Sequence, residues 1–260
     1  MFFLLIAFSC QKNDEKQLQN NKVDYDKIGI MHNQGLDYAF KTLKAAKEKG
    51  CLSKSTNEDY IDQLYKSTIS YIDVNFSDLT DKEIQEVKNS LLKTKETIIE
   101  LSSSSSKGNE YLYQSIMKKA ESLMTDKQKE ISNKILSIMS ENSDIDRIFS
   151  KMALVENEIN QTCSEEEKPC LLAMLSVAKH SSEYWNQNLS NWITEFGTSK
   201  DTPKLSWALV GESDAAYALY AGITCSTAVI VPFIGWGAYI GIVGGGTLIT
   251  SGTAALLQII

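Results

Sequence analysis

Hydrophobic residues recur along most of the chain at spacings of three and four, the signature of helices with one buried stripe. Residues 24–49 carry Leu36, Phe40, Leu43 and Ala46 on such a stripe, and Gly50 stands where a helix C-terminus favours glycine. Residues 57–74 form the next segment, opened by Thr56 with Asp59 three positions on; Ile61, Leu64, Thr68 and Ile72 are in register. Thr80-Asp-Lys-Glu83 is a capping box and predicts a helix to about residue 101, with Ile84, Val87, Leu91, Ile98 and Leu101 on one face. Lys95 shares that stripe, a position for a side chain that buries its stem and keeps its charge wet. After a serine-rich loop, residues 110–124 align Leu112, Ile116, Ala120 and Leu123. Thr125-Asp-Lys-Gln128 is a second capping box, opening 126–141 with Ile131, Ile135 and Ile138. Ser143 is placed to cap 144–161 (Ile148, Met152, Val155, Ile159), and 169–195 carries Leu171, Leu175, Ala178, Trp185 and Trp192. Nothing alternates at period two for long, and prolines stand only at 169, 203 and 232. The pattern predicts an all-α chain: a helical bundle of about seven helices with a C-terminal hydrophobic helical hairpin.

The last segment breaks the pattern. After Asp214 there is no Asp, Glu, Lys or Arg in 46 residues, and eight of the 14 glycines fall there. Residues 215–230 give one arm, 231–235 with Pro232 and Gly235 a break, and 236–260 a second arm long enough to cross a bilayer. Tyr217, Tyr220, Trp236 and Tyr239 are spaced as interfacial aromatics. Ala218, Gly222 and Ser226 form one row of small residues four apart, and Gly237, Gly241 and Gly245 form another. Such rows let helices approach closely, so they are the expected packing seams of the hairpin, with membrane lipid, a second copy or another protein as partner. The Gly, Thr and Ser content dilutes the arms enough for them to be exported before inserting.

Charge narrows the function. The formal net charge is −7, and every charged residue lies in 1–214. An acidic body excludes a nucleic-acid partner, which calls for a basic face. The opening Met-Phe-Phe-Leu-Leu-Ile-Ala-Phe-Ser-Cys10 reads as a lipoprotein signal with small residues before the cysteine, although no Lys or Arg precedes it. Cleavage before Cys10 leaves that residue to carry the lipid (palmitate), on a polar tether to residue 23. Asp14 and Glu15 behind Gln11 and Lys12 resemble the export signal of Bacteroidota surface lipoproteins, which implies the outer face of the outer membrane. The expected organisation is a signal peptide 1–9, lipidated Cys10 and tether 10–23, helical bundle 24–196, linker 197–212 and hairpin 213–260.

Candidate chemistry is sparse. Walker, HExxH, CxxC, GxSxG and EF-hand patterns are all lacking, so no catalytic residue, cofactor or metal is expected. Cys163 and Cys170 are spaced for a local disulfide in an oxidising compartment; free thiols are the alternative, and zinc finds no third ligand at useful spacing. Cys51 and Cys225 read as packing residues. His32 lies five residues from Asp37, a spacing that does not share a helix face, so it reads as a structural histidine. His180 and Ser181 are adjacent and point apart on a helix, which argues against a triad. Glu165-Glu166-Glu167 suits the dipole of a helix start.

His32-Asn-Gln-Gly-Leu-Asp37, Ala178-Lys-His-Ser-Ser-Glu-Tyr-Trp185 and Ser213-Asp-Ala-Ala before a glycine-rich tail together resemble a Bacteroidota lipoprotein-like family with a helical body and a C-terminal glycine-zipper hairpin. The resemblance implies an architecture and an origin, and no activity. Here Ile, Thr and Val replace much of that tail's Gly and Ala. Three functional expectations follow: a membrane-interacting hairpin with a bacteriocin-like or pore-forming role, a structural or partner-binding lipoprotein whose hairpin is buried core, and an enzyme working around His32 or His180.

Overall fold

A computed structural model describes residues 24–52, 56–103, 109–141, 144–197, 206–226 and 231–259, and the observations below concern these. The chain is all-α. Among the described residues there are nine helices: α1 (Asp26–Glu48), α2 (Asn57–Asn75), α3 (Asp81–Ser103), α4 (Asn109–Glu121), α5 (Asp126–Ser140), α6 (Ile145–Thr162), α7 (Lys168–Phe196), α8 (Trp207–Ser226) and α9 (Val231–Ile259).

Local chemistry starts these helices where the polar residues stand. The Thr56 hydroxyl accepts from the Asp59 amide at 3.3 Å while Asp59 Oδ2 accepts from the Thr56 amide at 2.7 Å. Thr80 with Glu83 and Thr125 with Gln128 repeat the reciprocal pair at α3 and α5. Each such cap contributes about 1 kcal/mol by satisfying amides that the first turn leaves open. α6 is capped by Asp144, whose Oδ1 accepts from the Asp146 amide at 3.1 Å; Ser143 lies outside the described residues. Ser164 and Glu167 form a further reciprocal pair just before α7, where Pro169 sits in the first turn.

Burial follows the predicted stripes. Ile61, Leu64, Thr68 and Ile72 of α2, Val87, Leu91, Ile98 and Leu101 of α3, and Ile131, Ile135 and Ile138 of α5 are all buried. Leu123 is the exception at 51 % exposed, because α4 ends at Glu121 and Met124 turns inward in its place. Lys95 keeps its charge at the edge: Nζ donates to Asp62 Oδ1 at 3.1 Å and lies 4.9 Å above the Tyr65 ring.

The tail occupies the middle. α9 packs on α1, α2, α3, α7 and α8, and more lightly on α4. α8 lies between α7 and α9 and is covered on its far side by α4 and α5; α6 covers α7. A helix apolar all round has to be covered all round, and the stripes of α1, α2, α3, α4 and α7 together with α8 supply that cover. α8 begins at Trp207, inside the stretch expected to be linker, with the Ser206 hydroxyl accepting from the Leu209 amide at 3.4 Å. Residues 198–205, the rest of that linker, lie outside the described residues, as do the expected signal peptide 1–9, Cys10 and the tether as far as residue 23. The expected break sits at Gly235, whose φ of 71° and ψ of 167° interrupt α9; a left-handed φ there suits only a residue without a Cβ.

Candidate functional site

The hairpin and its covering are the candidate site, and the small-residue rows show how the two fit. A Cβ on Gly237 would meet the Leu79 side chain at 2.6 Å, one on Gly241 would meet Val87 at 3.3 Å, and one on Gly245 would meet Leu91 at 3.1 Å. The Gly237–Gly241–Gly245 row is therefore the groove into which α3 and the turn before it press their leucines and valine. Other faces of α9 are as tight: Gly244 on Met31 of α1, Gly246 on Tyr217 of α8, Gly252 on Leu64 of α2. Gly222 of the first row faces Cys170 of α7 and Tyr239 of α9, and Ala218 is fully buried; the side chain of Ser226 lies outside the described part. Both seams meet this chain's own helices.

A polar cluster crosses the same core. Asp214, the last charged residue of the sequence, is 0 % exposed near the middle of α8. Its Oδ2 accepts from Ser181 Oγ at 2.5 Å, from Ser251 Oγ at 2.8 Å and from Trp185 Nε1 at 3.2 Å; Trp185 Nε1 also donates to Ser251 Oγ at 2.9 Å. His32 of α1, also 0 % exposed, brings Nε2 to 3.4 Å from the same oxygen, within ion-pair range but not aligned as a hydrogen bond. Asp214 Oδ1 has no hydrogen-bond partner. Asn33 Nδ2 donates to the His180 carbonyl at 2.9 Å, so its Oδ1, 2.9 Å from His32 Nδ1, is an acceptor and Nδ1 carries a proton. Nε2 attracts the carboxylate only when it is protonated too.

These residues do not make a catalytic triad. The Ser181 hydroxyl donates to the carboxylate, and no imidazole stands between them to act as base. His180, next in sequence, points the other way, with Nε2 3.0 Å from Asp26 Oδ1 at the surface. Asp37 does not reach His32; it bonds Tyr184, whose hydroxyl pKa burial and Asp37 raise. Among the described residues no group of three or more His, Cys, Asp and Glu converges in a way that would hold a metal ion.

Of the two states open to Cys163 and Cys170, the structure has the free thiols, and both are buried. Cys163 ends α6 in extended backbone, whereas Cys170 turns into the core from the first turns of α7, where Gln128 Nε2 lies 3.1 Å from its sulfur. Burial pushes the Cys170 thiol up to about 12, so it is not a nucleophile. Cys225 is buried as a packing residue would be, while Cys51 is exposed.

An open cleft of about 720 Å³ lies beside the start of α9, where Tyr25 meets Trp236 edge-on at 5.8 Å. Two of its carboxylates are already engaged, Asp26 by His180 and Glu165 by Lys168.

Sequence reasoning singled out His32 and treated Trp185 as core; it did not find Ser181, Asp214 and Ser251 as one cluster. The available signal was Asp214 itself, a lone acid at the edge of a long uncharged run. Comparison of the chain with protein-family models, with curated proteins and with solved structures finds no match. The functional reading therefore rests on the geometry.

Proposed function

We propose that this is a non-enzymatic cell-envelope lipoprotein, anchored through Cys10, that stores a membrane-inserting hairpin inside a sheath of amphipathic helices. The observation that carries it is α9: Gly235–Ile259 has the length and composition of a membrane span, yet 89 % of its most apolar window is buried. α8 and α9 are joined as a pair, and beyond Asp214 neither holds a charge that lipid would reject. Sheath helices with one apolar stripe can turn that stripe to lipid once the hairpin leaves. In this reading the stored form is the water-soluble state, and insertion, self-association and permeabilisation of a neighbouring membrane follow release.

Carbonate extraction of cell membranes, with the natural chain beside Cys10→Ser, tests it. Hairpin insertion leaves a fraction of Cys10→Ser with the membranes, and the purified variant releases dye from vesicles. If Cys10→Ser is wholly washed out and vesicles keep their dye under all conditions, insertion is wrong. A second reading then stands, favoured by the closeness of α9's fit to its own chain: the hairpin is permanent core and the body binds a protein partner. Truncation before residue 213 does not separate the two, because it removes the middle of the core.

A further inference from the structure

Resting on the membrane reading above, the geometry points to the Asp214 cluster as an acid-sensitive latch that holds the hairpin in its sheath and yields it to an anionic lipid surface. The cluster ties α8 to its neighbours at one point. Asp214 belongs to α8, His32 to α1, Ser181 and Trp185 to α7, and Ser251 to α9. It thus joins both arms of the hairpin to two helices of the sheath, whereas the other polar ties of the hairpin, Tyr217 to Thr94 of α3 and Tyr239 to the Pro169 carbonyl of α7, each hold a single arm.

Three donors converge on Asp214 Oδ2, an arrangement that suits a carboxylate anion. Protonating Asp214 has two effects. The new O–H on Oδ1 has no acceptor among the described residues, since Oδ1 is unpartnered; on Oδ2 it forces Ser181 or Ser251 to turn from donating to accepting, and that hydroxyl's bond to the carboxylate is lost. And the oxygen 3.4 Å from His32 Nε2 no longer carries the negative charge that makes the contact favourable to an N–H there.

No other charge takes over. α7 faces the pair with neutral Ser181 and Trp185, and His180 on α7 turns outward to Asp26 of α1. α9 faces it with Ser251 and has no charged residue at all. α1 adds the neutral Asn33 amide beside His32. Of the other helices packed on these, α2 brings Tyr71 to Gln34 of α1, α4 brings Tyr113 near Glu212 of α8, and α5 sets Met139 against Gly211 of α8. No Lys or Arg and no second carboxylate pairs with His32 or Asp214 among the described residues.

The same acidification selects the lipid. At neutral pH the chain carries 33 carboxylates against 26 Lys and Arg and is repelled by an anionic bilayer. Neutralising a modest share of those carboxylates turns the chain positive, so an anionic bilayer attracts it when the latch opens.

Flotation of full-length Cys10→Ser with vesicles of equimolar phosphatidylglycerol and phosphatidylcholine tests this, at about pH 7.5, well above the ordinary carboxylate range, and about pH 4.5, close to it. The bound fraction is expected to rise about tenfold at the lower pH, and less with phosphatidylcholine alone. Adding Asp214→Asn is expected to give at the higher pH the binding that the parent shows only at the lower. Should Asp214→Asn fail to keep its helical circular dichroism, Trp185→Phe decides: losing one donor to the carboxylate moves the acid midpoint to higher pH. Equal binding at both pH values, with the variants matching the parent, overturns the latch and leaves membrane insertion standing. Equal binding with and without phosphatidylglycerol overturns the anionic preference. No binding by any chain at either pH overturns the latch and the membrane reading together.

Discussion

α3 and α9 are both long helices packed against each other, and they reach burial by opposite means. α3 carries Lys, Glu and Asp on its outer side and one apolar stripe of Val87, Leu91 and Ile98 on its inner side. α9 has no charge and no outer side; from Ala238 to Leu256 only Ile240 is not fully buried. α3 supplies leucines and valine, whereas α9 supplies the glycines they press into. One helix defines a surface and the other fills a volume. Hydrophobicity on every face therefore marks a helix that needs neighbours all round, and it does not say whether those neighbours are lipid or protein.

The contrast breaks most completely at the point where polarity enters the filled volume. Asp214→Ala leaves Ser181, Trp185 and Ser251 without their common acceptor, removes the carboxylate beside His32, and is expected to cost about 3–5 kcal/mol, read as a fall in the urea midpoint. Gly245→Leu tests the groove. The new side chain meets Leu91 and Thr68 where a Cβ alone would stand 3.1–3.3 Å from them. Overpacking of about 1–3 kcal/mol follows, a fall of several degrees in the thermal midpoint.

Glu212, on the α8 turn before Asp214, gives a smaller effect that depends on pH. Burial raises its carboxyl from the ordinary 4.5 to about 7. The folded chain keeps this proton at pH values where the unfolded chain has released it. Its contribution to stability is full below about pH 4.5 and is lost as pH rises through about 7. Glu212→Gln should therefore raise the thermal midpoint at about pH 8.5 and match the natural chain below about pH 4.5. At the other end, Lys66→Ala removes an exposed pair with Asp62 on the outer face of α2 and should leave the midpoint unchanged within error.

Much of the covering was legible in the sequence. Capping pairs at Thr56, Thr80 and Thr125 and stripes such as Ile61–Leu64–Thr68–Ile72 are set by neighbours three and four residues away, and those neighbours are in the sequence. The hairpin's break was legible for the same reason, since Gly235 is a local feature. The start of α8 was misread because the linker that opens at Gly197 was carried on to residue 212, so residues 207–212 were counted as linker residues. They are helical because α4, α5 and α7 bury that turn. The Cys163–Cys170 spacing suggested a bridge that the structure does not form, since spacing says nothing of the direction in which Cys170 turns.

The sequence by itself determined that the chain is all-α, that its first seven helices each have one apolar side, and that its last two have nearly no polar one. Those are consequences of residue order acting over one or two helical turns. Only the tertiary structure decided that the glycine rows of α9 meet α3, that the hairpin lies within the body, and that His32, Ser181, Asp214 and Ser251 share one site. Those residues stand up to 219 positions apart, and what joins them is the need to cover a fully apolar helix while giving the buried acid of its neighbour α8 enough donors.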